Sequence, residues 1–262
     1  MILDYLQQLS SDQRNQRADR HLGYWLAAVA GAVNAGGFLA IGQYTSHMTG
    51  IVSGMADHLA LGDLIPVLAG LSAWLAFVTG AATTAVLVNL ARRRNLRSQY
   101  ALTLLLEAAL LLLFGLAGAY LSALREFLTP VTVLLLCYIM GLQNAVITKV
   151  SSATIRTTHL TGLSTDLGIE LGKRFYINRS NIKRPGVFAD RDKIKLHSRL
   201  IGCFLSGGIV GAVGFKYLGY GSAGFLALAV ALLAVGPVWL DVRRHYHSLG
   251  VRRARRRGGT LP

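Results

Sequence analysis

The residues of this chain best suited to chemistry occur in two copies of one motif. The first copy reads Thr-Ser-His-Met-Thr-Gly at 45–50, and the second reads Thr-Thr-His-Leu-Thr-Gly at 157–162. Each copy follows a Gly-x-x-Asn-Ala sequence, at 31–35 and at 141–145. Imidazole, hydroxyl and carboxamide groups bind polar solutes or ions, and imidazole also transfers protons. His47 and His159 lie 112 residues apart, so we infer that the chain is a duplicated unit.

We predict a substrate- or ion-binding site to which both copies contribute. The predicted residues are Asn34, His47, Thr49, Gln143, Asn144, Arg156, His159 and Thr161. Asn34 and Asn144 lie about 17 to 21 Å into their apolar blocks, at 1.5 Å per residue, which is near the middle of a bilayer. A buried amide needs partners. The alternative role for each asparagine is an interhelical hydrogen bond that joins the two repeats.

The two histidines reach the interior only if the preceding helices are broken. On a straight helix His47 would lie about 36 Å from residue 23, beyond the hydrocarbon. Gly36-Gly37 and Gly42 are possible break points in the first copy, and 151–156 is the corresponding segment in the second. Irregular backbone at membrane depth is tolerated where it is buried in protein or lines a cavity. The motif hydroxyls then either cap the loosened backbone or line a ligand site.

Charged residues suggest further roles. Glu107 is the acid placed well inside an apolar block, and Asp166 follows His159 on one predicted helix face with Gly162 and Glu170. We therefore predict proton coupling at Glu107 or Asp166, with pairing to an Arg of the 92–97 loop or to a neighbouring amide as the alternative for Glu107. Arg156 replaces Tyr44 of the first copy, and it either attracts an anionic substrate or anchors the cytoplasmic edge.

Several chemistries have no matching pattern. No Ser/His/Asp triad, Cys/His pair or phosphate-binding glycine loop is recognisable, and we predict no catalytic residues and no cofactor. Two histidines and one acid do not meet a metal-binding spacing, so no metal is expected. An enzyme is the less favoured class.

The elements that position these residues are long apolar blocks. The 262 residues are 53% hydrophobic and 15% charged, which indicates an all-α polytopic membrane protein. Six blocks, each long enough for a spanning helix, lie near 23–42, 64–91, 100–124, 130–148, 200–219 and 222–240. Three spans per copy predict two inverted-topology repeats, at 23–124 and 130–240, with broken or re-entrant segments after helices 1 and 4. A basic insertion at 173–198 is predicted as a solvated loop.

The net charge of +15 is a signal of topology. Of the 27 Lys and Arg residues, 25 fall in the 1–22 tail, the 92–99 loop, the 149–199 region and the 241–262 tail. The positive-inside rule predicts that both termini are cytoplasmic. The C-terminal arginines are expected against anionic lipid headgroups, and nucleic acid is not expected as a partner.

The motifs also resemble a family, the bacterial six-span YoaK-like membrane proteins, which are classified only as a domain of unknown function. The matching sequences are Val-Asn-Ala-Gly-Gly-Phe at 33–38, Tyr-Thr-Ser-His-Met-Thr-Gly at 44–50, Gly-Leu-Gln-Asn-Ala at 141–145 and Arg-Thr-Thr-His-Leu-Thr-Gly at 156–162. The resemblance covers about residues 20–241. It implies a six-span inner-membrane protein and supplies no substrate or activity.

Topology and polar residues at depth favour a secondary transporter or exporter of a small solute, with its site between the repeats. Three alternatives stay open: a small channel, a membrane-embedded enzyme acting on a lipid-soluble substrate, and an accessory membrane subunit without a site. A homo-oligomer is also left open.

Overall fold

The chain is all-α over the residues that the computed structural model describes, which are 16–96, 98–120, 125–178, 185–235 and 238–239. The helices are α1 (Gln16–Ile41), α2 (Met48–Leu61), α3 (Leu64–Arg93), α4 (Ala101–Tyr120), α5 (Arg125–Val150), α6 (Leu160–Phe175) and α7 (Arg191–Leu218). A short 3₁₀ helix, Gly219–Gly221, separates α7 from helical residues 222–235, here called α8. No strand occurs within those ranges.

Five helical segments are long and apolar enough to cross a membrane. They are Arg17–Ile41, Leu64–Arg93, Ala101–Gly118, Thr129–Val150 and Arg191–Val235. The last contains 45 residues, about twice the length of one crossing, and its 3₁₀ turn divides it. The two short helices, α2 and α6, are not among the five.

The outer surfaces of the long helices are apolar. Ile65 and Leu68 of α3, Val210 of α7 and Phe225 of α8 are all more than half exposed. A water-soluble protein rarely exposes so continuous an apolar surface, whereas lipid is an apolar solvent for it. The core is also apolar, and its largest fully buried side chains include Leu22, Leu26, Leu104, Met140 and Ile147.

Glycines allow two helix pairs to approach closely. α1 packs along α7, and a Cβ added to Gly31 would overlap the carbonyl oxygen of Phe204. α3 packs along α5, and a Cβ added to Gly141 would overlap the carbonyl oxygen of Phe77. Small residues at such crossings are typical of membrane helices, because packing rather than the hydrophobic effect drives their association.

Both expected helix breaks are present. One follows α1, and the other follows α5, which contains the fourth predicted span, 130–148. The first comes at Gly42, which has φ 74° and whose N–H donates to Phe38 O at 2.8 Å. Gly36-Gly37 is not a break, because α1 continues through it and Gly36 packs against the Phe215 ring. The sequence could not distinguish a glycine needed for a close contact from one needed for positive φ.

The second break uses residues other than glycine. Ser152 and Ala153 adopt φ 49° and 65°, in the left-handed region that costs L side chains energy. The Ser151 hydroxyl donates to Ile147 O at 2.8 Å and accepts from Ile155 N–H at 2.9 Å. The hydroxyl thus supplies an acceptor to Ile155 N–H in the turn after α5, while Ile147 O also accepts from Ser151 N–H at 2.9 Å.

The predicted loop at 173–198 is shorter in the structure. α6 extends to Phe175 and α7 begins at Arg191, so both ends of the predicted loop are helical. Of the intervening residues, 176–178 and 185–190 are described and non-helical, while 179–184 lie outside the described residues. Of the predicted N-terminal tail 1–22, residues 16–22 belong to α1 and 1–15 lie outside the described residues, as does the predicted tail 241–262.

Candidate functional site

The two motif copies adopt the same local structure. His47 is the N-cap residue of α2 with φ −90° and ψ 66°, and His159 is the N-cap residue of α6 with φ −87° and ψ 55°. Neither makes a side-chain cap hydrogen bond. Each imidazole instead lies over the glycine three residues later, Gly50 or Gly162, where a Cβ would crowd the ring. The motif glycine therefore makes room for its own histidine.

Each motif is tied to the helix that precedes it by an asparagine. Asn34 Oδ1 accepts from Ser46 N–H at 3.2 Å and from Ser46 Oγ at 3.0 Å. Asn144 Oδ1 accepts from Thr158 Oγ1 at 2.6 Å, and its Nδ2 donates to Met140 O at 2.8 Å. Each bond joins an asparagine to its own helix or to the motif that follows it, so these atoms do not fill the alternative role of a bond between the two predicted repeats. Each amide instead fixes the chain reversal after its own helix.

The two copies line one cavity of about 800 Å³. Seven of the eight predicted site residues are in its wall: Asn34, His47, Thr49, Asn144, Arg156, His159 and Thr161. Met48 and Leu160 also line it, so the first turns of α2 and α6 meet at one space. The structure brings the two motif copies together, although they are 112 residues apart in sequence. Their role in binding stays a prediction.

Sequence reasoning missed several wall residues. Phe77 of α3 and Phe204 of α7 line the cavity, as do Tyr44 and Thr148. Ser46 and Thr158 also line it, in keeping with one of the two roles predicted for the motif hydroxyls. Phe77 and Phe204 begin the similar sequences Phe-Val-Thr-Gly and Phe-Leu-Ser-Gly. That likeness was a usable signal, because both phenylalanines of the similar sequences line the same cavity.

The eighth predicted residue, Gln143, is not in the wall. Its side chain is fully buried, and neither amide atom has a hydrogen-bond partner. Its neighbour Asn144 faces the cavity. Adjacent residues of a helix point about 100° apart, so one of the two had to face elsewhere.

The two predicted proton-coupling residues also lie away from the cavity wall. Glu107 on α4 is fully buried, and neither carboxyl oxygen has a hydrogen-bond partner. Asp166 on α6 is exposed. No group of three or more His, Cys, Asp and Glu residues that suits a metal ion occurs in the described part of the chain.

Glu170, expected on the same face of α6 as Asp166, has a different environment. It is 4% exposed, its Oε1 accepts from Lys173 Nζ at 2.8 Å, and its Oε2 accepts from Asp190 N–H at 2.8 Å. The Lys173 hydrogen bond, and then the Asp190 backbone bond, lower the pKa of this carboxyl below its ordinary value. Glu170 thus connects α6 to the start of α7 and is not arranged with Asp166 in a relay.

Arg156 is the one Lys or Arg residue among the described residues that line the cavity. Its Nη1 lies 3.5 Å from His159 Nδ1, and the wall contains no Asp or Glu. Tyr44, the equivalent residue of the first copy, stacks on Phe38 with ring centroids 4.6 Å apart. The cavity wall therefore combines one guanidinium with the aromatic rings of Tyr44, Phe77 and Phe204.

A second cavity of about 760 Å³ adjoins the first. It lies between α2, α3 and the first half of α5, with Met55, Ala69 and Pro130 in its wall. Tyr44 and His47 line both cavities. These two side chains thus stand between the motif cavity and the space beside α2.

Comparison with known proteins agrees with this architecture. A family model described as "Protein of unknown function (DUF1275)" matches residues 22–237. The chain is 30% identical over 156 residues to the UPF0700 transmembrane protein YoaK of Bacillus subtilis (strain 168), covering 59% of this chain and 68% of that protein. No solved structure matches significantly. The chain therefore belongs to this YoaK-like family of transmembrane proteins of unknown function.

Proposed function

We propose that the protein is a secondary transporter or exporter of a small solute and that the motif cavity is its binding site. The observation that carries this proposal is the meeting of both motif copies in one cavity of about 800 Å³. Transporters built from inverted repeats bind substrate at the repeat interface, beside broken helices. Cavities of this volume are of the size that holds small ligands.

The pattern of close contacts supports two inverted three-span repeats. Gly31 meets Phe204, and 110 residues after Gly31, Gly141 meets Phe77. Likewise, a Cβ on Gly207 would overlap Ala28 O, and one on Gly80 would overlap Tyr138 O. The contacts between α1 and α7 thus recur between α5 and α3, as expected if two equivalent units exchange partners about a two-fold axis.

In this arrangement the membrane is crossed six times, by α1, α3, α4, α5, α7 and α8. The helices α2 and α6 are re-entrant segments that enter from opposite sides and meet at the cavity. The excess of Lys and Arg in the tails and in the 92–99 and 149–199 segments supports cytoplasmic termini in a bacterial inner membrane.

In alternating access, the cavity opens on the α2 side while it is closed on the α6 side, and then the reverse. The second cavity supports an access path beside α2, with Tyr44 and His47 between it and the site. We assign proton coupling to Glu107 ahead of Asp166, because Glu107 is buried without a hydrogen-bond partner and Asp166 is exposed.

Cysteine accessibility tests this function. His47→Cys and His159→Cys are made separately in a Cys137→Ser/Cys203→Ser background and labelled with a membrane-impermeant thiol reagent in vesicles of either orientation. We expect Cys at 47 to be labelled from outside and Cys at 159 from inside, and an imposed pH gradient to raise one rate while it lowers the other. Gly168→Cys is the control, because position 168 is open and outside the cavity wall.

Two results would oppose the proposal. Labelling of both positions at once from either side, with ionic conductance, would indicate a channel with a continuous pore. Labelling rates that do not change with the pH gradient, together with no movement of any solute in liposomes, would rule out a transport function.

A further inference from the structure

The charge and shape of the motif cavity narrow the kind of solute that it accepts. Of the fifteen wall residues, Arg156 is the one with a fixed charge, and the wall has no carboxylate to neutralise it. Arg156 also makes no ion pair with any described residue, its one polar contact being His159 at 3.5 Å. A guanidinium without a counter-ion at a cavity wall is suited to bind an anionic group.

Hydrogen-bond donors near Arg156 favour the same ligand chemistry. His159 and Thr161 lie in the wall with it, as does the uncapped first turn of α6. The Thr158 hydroxyl is already donated to Asn144, so it fixes the wall rather than binding a ligand. The first copy supplies donors of the same types, from His47, Thr49 and the uncapped first turn of α2, so Arg156 is the feature that distinguishes the second copy's side of the cavity.

The rest of the wall does not favour a second charge. Phe77 of α3 and Phe204 of α7 line the cavity. Tyr44 also lines it, at the position of the first motif copy that corresponds to Arg156 in the second. Such rings contact the uncharged body of a ligand, and they favour a flat or apolar one. The second charge of a dianion or a zwitterion would find no further fixed charge of opposite sign in the wall.

We infer that the site binds a small organic monoanion, a carboxylate with an uncharged apolar or aromatic body. The carboxylate lies against Arg156 and the donors beside it, and the body lies between Phe77, Phe204 and Tyr44. This inference deepens the proposed transport function by naming the substrate class and rests on the same cavity.

Binding of matched probes to the purified full-length chain in detergent tests the inference. The probes are sodium benzoate, its neutral isostere benzamide and the cation benzylammonium, with sodium chloride at equal ionic strength as reference. We expect benzoate to raise the thermal unfolding temperature in a saturable manner, and benzamide and benzylammonium to bind at least tenfold more weakly. Arg156→Gln should weaken benzoate binding at least tenfold and leave benzamide unchanged.

The matched control is Arg174→Gln, which removes the same charge from an exposed position near the end of α6. It should bind benzoate like the wild type. Equal binding of benzoate and benzamide, an equal effect of sodium chloride, no binding of any probe, or unchanged benzoate binding in Arg156→Gln would each overturn the inference.

Failure of the substrate class and failure of transport are distinguishable. Arg156-dependent benzoate binding without uptake of radiolabelled benzoate into liposomes would support the anion site and contradict the transport function. Gradient-dependent labelling at positions 47 and 159 without benzoate binding would support the transport function and contradict this substrate class.

Discussion

Gly31 faces the carbonyl oxygen of Phe204 so closely that the addition of a single Cβ would produce an overlap. Its counterpart Gly141 stands in the same relation to Phe77. Phe77 and Phe204 also line the motif cavity. The two closest helix crossings are therefore adjacent to the candidate site, and their packing sets the positions of two of its walls.

Gly31→Ala should destabilise the fold by about 1 to 3 kcal/mol, because backbone atoms of α7 must move to accept the methyl group. Gly141→Ala should behave in the same way. Gly202→Ala on α7 is the control, since its position has no atom within 4 Å, and it should cause no loss. Thermal unfolding of the detergent-purified variants measures the difference, and an equal effect at 31 and 202 would refute it.

Asn34→Ala should lower stability by about 1 to 2 kcal/mol, because Ser46 N–H and its hydroxyl lose their acceptor in a partly buried turn. Asn34→Asp keeps an acceptor oxygen, so its unfolding temperature should stay near that of the wild type. The added carboxylate should nevertheless weaken benzoate binding at least tenfold by charge repulsion. Equal stability of the alanine and aspartate variants would contradict this account of Asn34.

Glu170→Gln should remove a pH-dependent part of the stability. The pKa of Glu170 is lowered in the folded chain by its bonds to Lys173 and Asp190 N–H. A lowered folded-state pKa contributes stability that is present above the ordinary glutamate range and is lost as the pH falls through the folded-state value. The difference in unfolding temperature between wild type and variant should therefore be largest near neutral pH and shrink in acid, below about pH 4.

Unfolding measured from pH 7 down to pH 3 checks this trend. Asp166→Asn removes a carboxylate from the same helix at an exposed position and should show no comparable trend. A wild-type advantage that grows in acid would have the wrong sign and would reject the assignment.

Glu107→Gln should separate coupling from binding. The substitution keeps the shape of the side chain, so the protein should fold and exchange solute across the membrane without a gradient. Accumulation driven by a pH gradient should fall at least tenfold. Thr103→Val, one turn earlier on α4 and also buried without a partner for its hydroxyl, should leave accumulation unchanged. Equal loss of exchange and accumulation in Glu107→Gln would assign Glu107 a structural role.

The sequence predicted the local features of this chain well, because they depend on short-range rules. Long apolar blocks gave the positions of the spanning helices, and α3 matches its predicted span of 64–91 to within two residues. The breaks near Gly42 and after Ser151 were predicted from depth arithmetic together with the glycines of the first copy and the corresponding segment 151–156 of the second. Helix ends in polar segments were less predictable, since α7 begins at Arg191, nine residues before its apolar block.

By itself, the sequence determined that the chain is helical, apolar and duplicated, and that one imidazole, one amide and several hydroxyls recur in each half. The tertiary structure decided which of them meet. It placed Asn144 in the cavity wall and Gln143 in the core, tied each asparagine to the motif that follows it, and added Phe77 and Phe204 to the cavity wall. The physical reason is that helix rotation and crossing depend on backbone contacts such as that of Gly31 with Phe204, between residues far apart in sequence.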